Sequence, residues 1–324
     1  MTALLEVKDV SVSLPLSGGL LPWKAGSLNI LDQVSLAMDK GETFGIVGES
    51  GSGKTTLARA VMGLMPISGG TMEFDGAALS TQAAFTRMRR ASAMMFQDAV
   101  ASFSPRMTIG SAITEPFIIN GVAVEDRRAK AGELLSRVGL SPSLAARYPH
   151  ELSGGQARRA GVARALALNP QLVIADEPTA GLDVSVQGEI LNLLGSLKAS
   201  LSLSYLIITH NLALVRHVTD RIAVMYLGRL VETGPTRQVF RAPLHPYTKS
   251  LIASEPKPDP RKRRADLAIR GEIPSLLRRP SGCEFHTRCA MAQDRCRQEK
   301  PELRTTPTGR GVRCHFADVT AQPT

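Results

Sequence analysis

Aromatic residues are scarce in this chain of 324, at 4% with a single Trp. That argues against a nucleic-acid reader that stacks bases on aromatic platforms. No run of 18 or more residues is apolar throughout, so no membrane-spanning helix is expected. The first ten residues carry Glu6 and Asp9 and no basic segment ahead of an apolar core. A secretory signal is therefore not expected, and the cytoplasm is the expected compartment. Cysteine is absent from the first 282 residues, and all four thiols follow, at Cys283, Cys289, Cys296 and Cys314. In a cytoplasmic protein that distribution suggests a metal or redox feature rather than a disulfide framework. Against these absences stand 43% hydrophobic and 21% charged residues, enough apolar content for a sizeable core and too much for wholesale disorder.

The formal net charge of +10 looks like a nucleic-acid or membrane-surface signal until it is mapped. Residues 257–324 hold 15 Lys and Arg against 8 Asp and Glu, leaving 24 against 21 for residues 1–256. The body is nearly neutral, and the excess sits in the tail.

Short apolar strands are expected at 4–14, 30–38, 43–47, 172–175 and 204–208, with a strand pair at 221–226 and 228–233. Helical segments alternate with several of them, which indicates a parallel α/β sheet. A helical stretch from about 107 to 147 interrupts the alternation. The Pro-rich, basic segment from Pro256 to Arg264 reads as a linker.

Gly48-Glu49-Ser50-Gly51-Ser52-Gly53-Lys54-Thr55 has the phosphate-loop pattern G-x-x-x-x-G-K-[ST]. It follows an apolar strand and opens a helix, expected over Lys54–Leu64. Its glycines let backbone N–H groups turn inward onto phosphates, and the helix N-terminus adds partial positive charge. Lys54 is placed to reach the β- and γ-phosphates of a nucleotide and the Thr55 hydroxyl to ligate Mg²⁺, with Thr56 beside it. The run Leu172-Val173-Ile174-Ala175 ends in Asp176-Glu177. A buried strand would deliver Asp176 to the ligand edge of the sheet as a second Mg²⁺ partner, and Glu177 could polarise a water for attack on the γ-phosphate.

Leu152-Ser153-Gly154-Gly155-Gln156 resembles the LSGGQ signature of the ATP-binding cassette family. Ser153 is expected to N-cap the helix that follows, leaving its first N–H groups and hydroxyl free for an anion. The order of motifs fits that family, as do Gln97 after Met94-Met95-Phe96, Ala180-Gly181-Leu182-Asp183 as a D-loop, and His210 after Ile207-Ile208-Thr209. The resemblance implies a P-loop cassette: a parallel-sheet core, an N-terminal antiparallel β subdomain and an inserted helical subdomain over about 97–165. Residues 1–255 would form this nucleotide-binding domain, 256–282 a linker and 283–324 a small Cys-bearing C-terminal domain. It implies ATP held between two cassettes, with Gln97 and His210 at the γ-phosphate and Ser153, Gly154, Gly155, Gln156 and Asp183 facing a partner's nucleotide. Gln97 would also join the Mg²⁺ shell. The family's aromatic that stacks on adenine has no counterpart at Leu14, and Trp23 is the alternative.

Residues 96–110, 182–187 and 245–248, with Arg270-Gly271-Glu272-Ile273-Pro274, are similar to the ATPase subunits of bacterial oligopeptide, dipeptide and nickel importers. The expectation is a subunit on the cytoplasmic face of the inner membrane, paired with a paralogous ATPase and with two transmembrane permeases. An extracytoplasmic solute-binding protein would act indirectly, and nucleic acid would not be a partner. The competing reading is a soluble cassette ATPase acting on nucleic acid or ribosomes. Such proteins carry two cassettes or a long coiled coil between motifs, and neither is present.

The thiol spacing C-x5-C-x6-C-x17-C matches neither a zinc ribbon nor a ferredoxin run. A tail this short and polar is expected to build little core of its own, so a metal could supply its folding energy. Arg288, Arg295, Arg297 and Arg313 lie among the thiols and could offset an anionic cluster. Members of the importer branch carry a cluster in such a tail, so a [4Fe–4S] group on Cys283, Cys289, Cys296 and Cys314 is expected, with zinc and reduced structural thiols as the alternatives.

Overall fold

The computed structural model describes residues 3–16, 27–255 and 271–317. Trp23 and the basic run at 261–264 lie outside them.

The first stretch is built on antiparallel strands. Strand β1 (Leu5–Pro15) buries Leu5 and Val7, then Val10 and Val12. Keeping both pairs on one face needs an extra residue between them. Asp9 supplies it at φ 50°, where the pairing register shifts. β2 (Ser27–Met38) pairs with β1 on one side. β3 (Thr43–Val47) is buried throughout and runs through the glycine-rich loop into helix α1 (Lys54–Val61). This helix stops short of the expected Leu64, turned by Gly63 at φ 65°. β4 (Gly69–Phe74) pairs with the other edge of β1 and with the two-residue β5 (Ala77–Ala78).

The second stretch holds α2 (Gln82–Arg90), β6 (Ser92–Met95), α3 (Ile109–Ile119), α4 (Arg127–Arg137), α5 (Gly154–Ala165), β7 (Leu172–Asp176), α6 (Val184–Leu201) and β8 (Ser204–Thr209). Polar residues start the helices as capping physics requires. Thr108 accepts from the Ser111 N–H, and Asp126 accepts from the N–H groups of Arg128 and Ala129. β6, β7 and β8 lie side by side and parallel.

The third stretch holds α7 (Leu212–Val218), β9 (Arg221–Tyr226), β10 (Arg229–Pro235), α8 (Thr236–Arg241), α9 (Pro246–Ala253), α10 (Asp294–Gln298), β11 (Arg304–Thr305) and β12 (Gly311–Val312). β9 runs parallel to β3 and antiparallel to β10. The tail adds to the far side of β10 through β12, with Glu232 opposite Val312.

Two compact units result. One is made of residues 79–208 with 39–43, and the other of the remaining described residues. The tail packs as part of the second unit by ordinary means. Phe285 is 3% exposed, set edge-on against Tyr226 and Tyr247 at 5.3 and 5.4 Å between ring centres. Arg229 bonds Asp32 through Nε and Nη2, at 3.0 and 2.5 Å, and its Nε lies 3.1 Å from Glu284. Burial alone would raise the Asp32 carboxyl, but the Arg229 bond and charge, with Lys300 and Arg279, hold it below its ordinary range. The polar tail therefore has a core and buried ion pairs, where its length and polarity suggest little core.

Candidate nucleotide and thiol sites

The loop of residues 48–55 joins β3 to α1 within the second unit. Gly48 lies so close to β9 that a Cβ there would stand 2.2 Å from the Met225 carbonyl oxygen. Gly53, the residue before α1, has φ 105°, a left-handed value that side chains resist. Ser50 and Gly51 are exposed at the loop's crest, and Ser52 is buried. Lys54 donates from Nζ to the carbonyls of Gly48 and Glu49, at 2.8 and 2.9 Å, and to Ser52 Oγ at 3.4 Å. Thr55 and Thr56 sit half-buried in the first turn of α1.

Glu49 is tied down on every side. Its N–H donates to the Tyr247 hydroxyl at 2.9 Å, and its carbonyl accepts from the Ser52 N–H as well as from Lys54. Its carboxylate takes a two-pronged bond from Arg288, Nη1 to Oε2 at 2.7 Å and Nη2 to Oε1 at 3.0 Å. The Glu49 bond, the first of several causes, raises the guanidinium pKa above its usual value.

In the first unit β7 ends on Asp176, which is 4% exposed. Glu177 follows at φ 50°, and its N–H donates to the Ile208 carbonyl at 2.8 Å. A left-handed glutamate costs on the order of 1–2 kcal/mol, so the surrounding bonds hold it there. Ser153 caps α5 as expected. Its Oγ accepts from the Gln156 N–H at 3.2 Å, and the Gln156 side chain accepts from the Ser153 N–H at 3.0 Å. The hydroxyl oxygen thus accepts within a capping box, and its O–H proton still has a donor bond to give.

An open groove of about 490 Å³ brings Gln97, Gly154 and Gly181 together. Beneath it Arg158, 4% exposed, donates to the carbonyls of Phe96, Gln97 and Ala180 at 3.1, 2.8 and 3.0 Å. Burial pushes this guanidinium below its usual pKa. Sequence reasoning passes over Arg158, though a charge at helical spacing among Ala157, Ala160 and Val162 is a usable signal. Gly181 has φ 72°, with open space where a Cβ would stand. The backbone turn, not crowding, therefore favours glycine here. Asp183 accepts from the Val186 N–H at 2.9 Å and caps α6.

His210 is exposed and borders a separate open pocket with Asn211, Leu251 and Glu255. Asn211 caps α7 through Oδ1, which accepts from the Leu214 N–H at 3.1 Å, a task that Asp and Asn share. Leu14 stands exposed near the end of β1, opposite Leu28.

The four cysteines line one small cavity of about 20 Å³, together with His245, His286 and His315. Burial pushes the Cys283 thiol up to about 12 and raises Cys289 as well. None of the four arginines expected to offset a cluster borders this cavity. Arg288 holds Glu49, Arg295 pairs with Glu299, Arg313 donates to the Leu230 and Pro301 carbonyls, and Arg297 is exposed. Among the described residues, no group of three or more His, Cys, Asp or Glu is placed to hold a metal ion.

A glycine-rich loop between a buried strand and a helix, with its lysine at the loop's mouth, defines a phosphate-loop nucleotide-binding protein. The family described as ABC transporter matches residues 31–180, and the one described as oligopeptide/dipeptide transporter, C-terminal region, matches 231–296. The chain is 44% identical over 319 residues to the oligopeptide transport ATP-binding protein AppF of Bacillus subtilis (strain 168), covering 97% of each chain. It is 45% identical over 316 residues to a probable peptide ABC transporter ATP-binding protein, y4tS, of Sinorhizobium fredii, covering 97% of this chain and 90% of that one. A solved dimer of the ATP-binding cassette MJ0796, in a post-hydrolysis state bound to ADP and Pi, aligns with a TM-score of 0.64 at 28% identity. That match covers 72% of this chain and 99% of the cassette. The chain belongs to the ABC transporter family and is one of its ATP-hydrolysing subunits.

Proposed function

We propose that this subunit energises uptake of peptides, or of a related small solute, through a membrane transporter. The observation that carries the reading is the match of residues 231–296 to the C-terminal region of oligopeptide/dipeptide transporters, alongside near full-length similarity to AppF. No helix among the described residues is long and apolar enough to cross a membrane; in this reading, separate permease subunits form the path for the solute. The chain would bind them peripherally, on the cytoplasmic face of the inner membrane. The region 97–152, between the Gln97 loop and Ser153, would meet the permeases. An extracytoplasmic binding protein would select the cargo.

The chain's residues divide the work as follows. The Gly48–Thr56 loop cradles the ATP phosphates, with Lys54 turning from its own loop carbonyls to the β- and γ-oxygens. Thr55, Asp176 and Gln97 each carry a hard oxygen of the kind Mg²⁺ takes and would be its ligands. When bound, Mg²⁺ supplies charge neutralisation on the phosphate oxygens. Glu177 takes the proton of the attacking water, and His210 senses the γ-phosphate. Ser153, Gly154, Gly155, Gln156 and Asp183 serve a nucleotide on a second cassette, a paralogue by the resemblance to the importer ATPases.

The four thiols are proposed to hold a [4Fe–4S] cluster. The support is a donor set of four sulfurs lining one cavity, the ligand type and number such a cluster takes. When bound, the cluster supplies structural cross-linking of the tail. Anaerobic purification should give a brown protein with about four irons per chain, lost on Cys296→Ser. Stoichiometric zinc instead, or no metal, refutes this part.

The whole reading is tested by reconstituting the chain with its permeases and its partner ATPase. Peptide-stimulated ATP hydrolysis and uptake in vesicles are expected. Co-purification with nucleic acid or ribosomes and without permeases would replace the reading by its competitor.

A further inference from the structure

We propose that Arg288 is a positioning residue for ATP binding, reaching from the Cys-bearing tail to clamp the phosphate loop through Glu49. Three contacts carry this. Arg288, 4% exposed at its side chain, forms the two-pronged bond to the Glu49 carboxylate. The Glu49 carbonyl in turn accepts from Lys54 Nζ at 2.9 Å, so the residue that Arg288 pins is one that orients the phosphate-binding ammonium. Tyr247 closes the other side of the same residue by accepting its N–H.

The clamp is built into the tail's own packing. The guanidinium lies 5.8 Å from the Tyr226 ring centre, within reach of a cation–π contact. Phe285, three residues before Arg288, fixes the same tyrosine and Tyr247 edge-on. Cys283 and Cys289 flank the segment that bears both residues. A planar fork against a carboxylate transmits position as well as charge, which an ordinary surface ion pair does not.

Charge adds to position. Glu49 sits in a loop that must receive a polyphosphate, and its carboxylate would repel that ligand unless neutralised. Arg288 neutralises it from behind, leaving Lys54 to act on the nucleotide. The tail is therefore part of the nucleotide site's scaffold, with or without metal on its thiols. Any change in the backbone of residues 283–289 reaches Lys54 through two hydrogen-bonded steps.

The inference rests on residues 48–55 being the phosphate loop, and the test separates the two. Affinity of the full chain for a fluorescent ATP analogue is measured well below the unfolding temperature, and KM and kcat for ATP in the assembled transporter. Arg288→Met should weaken binding roughly five- to thirtyfold and raise KM with kcat at saturation retained. Arg288→Lys, which keeps the charge and loses the fork, should fall between. Glu49→Gln added to Arg288→Met should recover part of the lost affinity, because the uncovered charge is gone, and leave a deficit of about threefold or more from the missing fork; full recovery would reduce Arg288 to a countercharge and overturn its positioning role. A merely structural role would lower kcat through loss of folded protein and leave KM unchanged, and that result overturns the inference. Should Arg288→Met fail to fold, Arg288→Gln carries the same expectation. Unchanged affinity in the Arg288 variants, with Lys54→Ala weakened, overturns the clamp alone. Unchanged affinity in Lys54→Ala overturns the phosphate-loop reading beneath it.

Discussion

Glu177 combines an expected chemical task with an unfavourable backbone. Its φ of 50° is held by the N–H bond to Ile208, directly after the buried carboxylate of Asp176. Such a conformation persists where the surroundings over-determine it, and it fixes where the carboxylate points. Glu177→Gln keeps shape and backbone demands while removing the proton acceptor. The expected outcome is ATP binding within about twofold of the parent and turnover lowered by about a hundredfold or more. Single-turnover hydrolysis in the assembled transporter checks it, and near-normal turnover would sink the assignment. Lys54→Ala acts earlier. It deletes the cation that now bridges Gly48 and Glu49, so ATP affinity itself should fall by at least about tenfold. A filter-binding titration decides between loss of binding and loss of chemistry.

At the scale of elements, α5 does two tasks within its first turns. Ser153 and Gln156 close a reciprocal cap at its start, and Arg158, further along, gathers the carbonyls of Phe96, Gln97 and Ala180. These bonds tie the start of α5 to the Gln97 loop and to the turn before Asp183. Arg158→Met removes the donors to three carbonyls from a buried site and should cost about 2–3 kcal/mol. It should also slow turnover while leaving nucleotide affinity unchanged, because the phosphate loop is untouched. Chemical denaturation with parallel binding and ATPase assays reads all three. If turnover survives at the parent rate in folded protein, α5 does not act through this arginine.

This helix also shows what a sequence discloses. The Ser153 cap, the buried strand before Asp176 and the glycine turn before Lys54 are legible because each is set by residues within a few positions of one another. Strand β4, helix α2 and the short tail strands are not. The tail strands are two residues long: β12 takes the edge that β10 offers, and β11 pairs with β12. The Arg288–Glu49 bond spans 239 residues, and no local pattern announces it. Composition counts the arginines among the cysteines as charge near a cluster, whereas folding gives three of them specific partners elsewhere.

For the whole molecule, one copy of each motif per chain implies that a complete nucleotide site needs a second cassette. The chain alone should hydrolyse ATP slowly and remain monomeric at micromolar concentration, and full solute-regulated activity from the single purified chain would contradict this. What the chain does complete by itself is the docking of its tail. Glu232 on β10 is fully buried, accepting from the N–H groups of Leu244 and His245 at 2.9 and 2.8 Å. Arg310, 3% exposed, supplies the countercharge at 2.6 Å and reaches the Ala242 carbonyl at 2.7 Å. A pair this buried gives little net stability over apolar residues of the same shape, but removing one partner strands a charge away from water. Arg310→Met should therefore destabilise the second unit by about 3–5 kcal/mol. Adding Glu232→Gln should recover a large part of that, because the amide oxygen still accepts an N–H bond and the side chain carries no charge. Urea unfolding followed by the near-ultraviolet tyrosine signal is the measurement, since Tyr226 and Tyr247 pack against Phe285 of the tail. A single variant within about 1 kcal/mol of the parent would mean that water or another cation reaches Glu232 once Arg310 is gone, and that this pair does not close the tail onto β10.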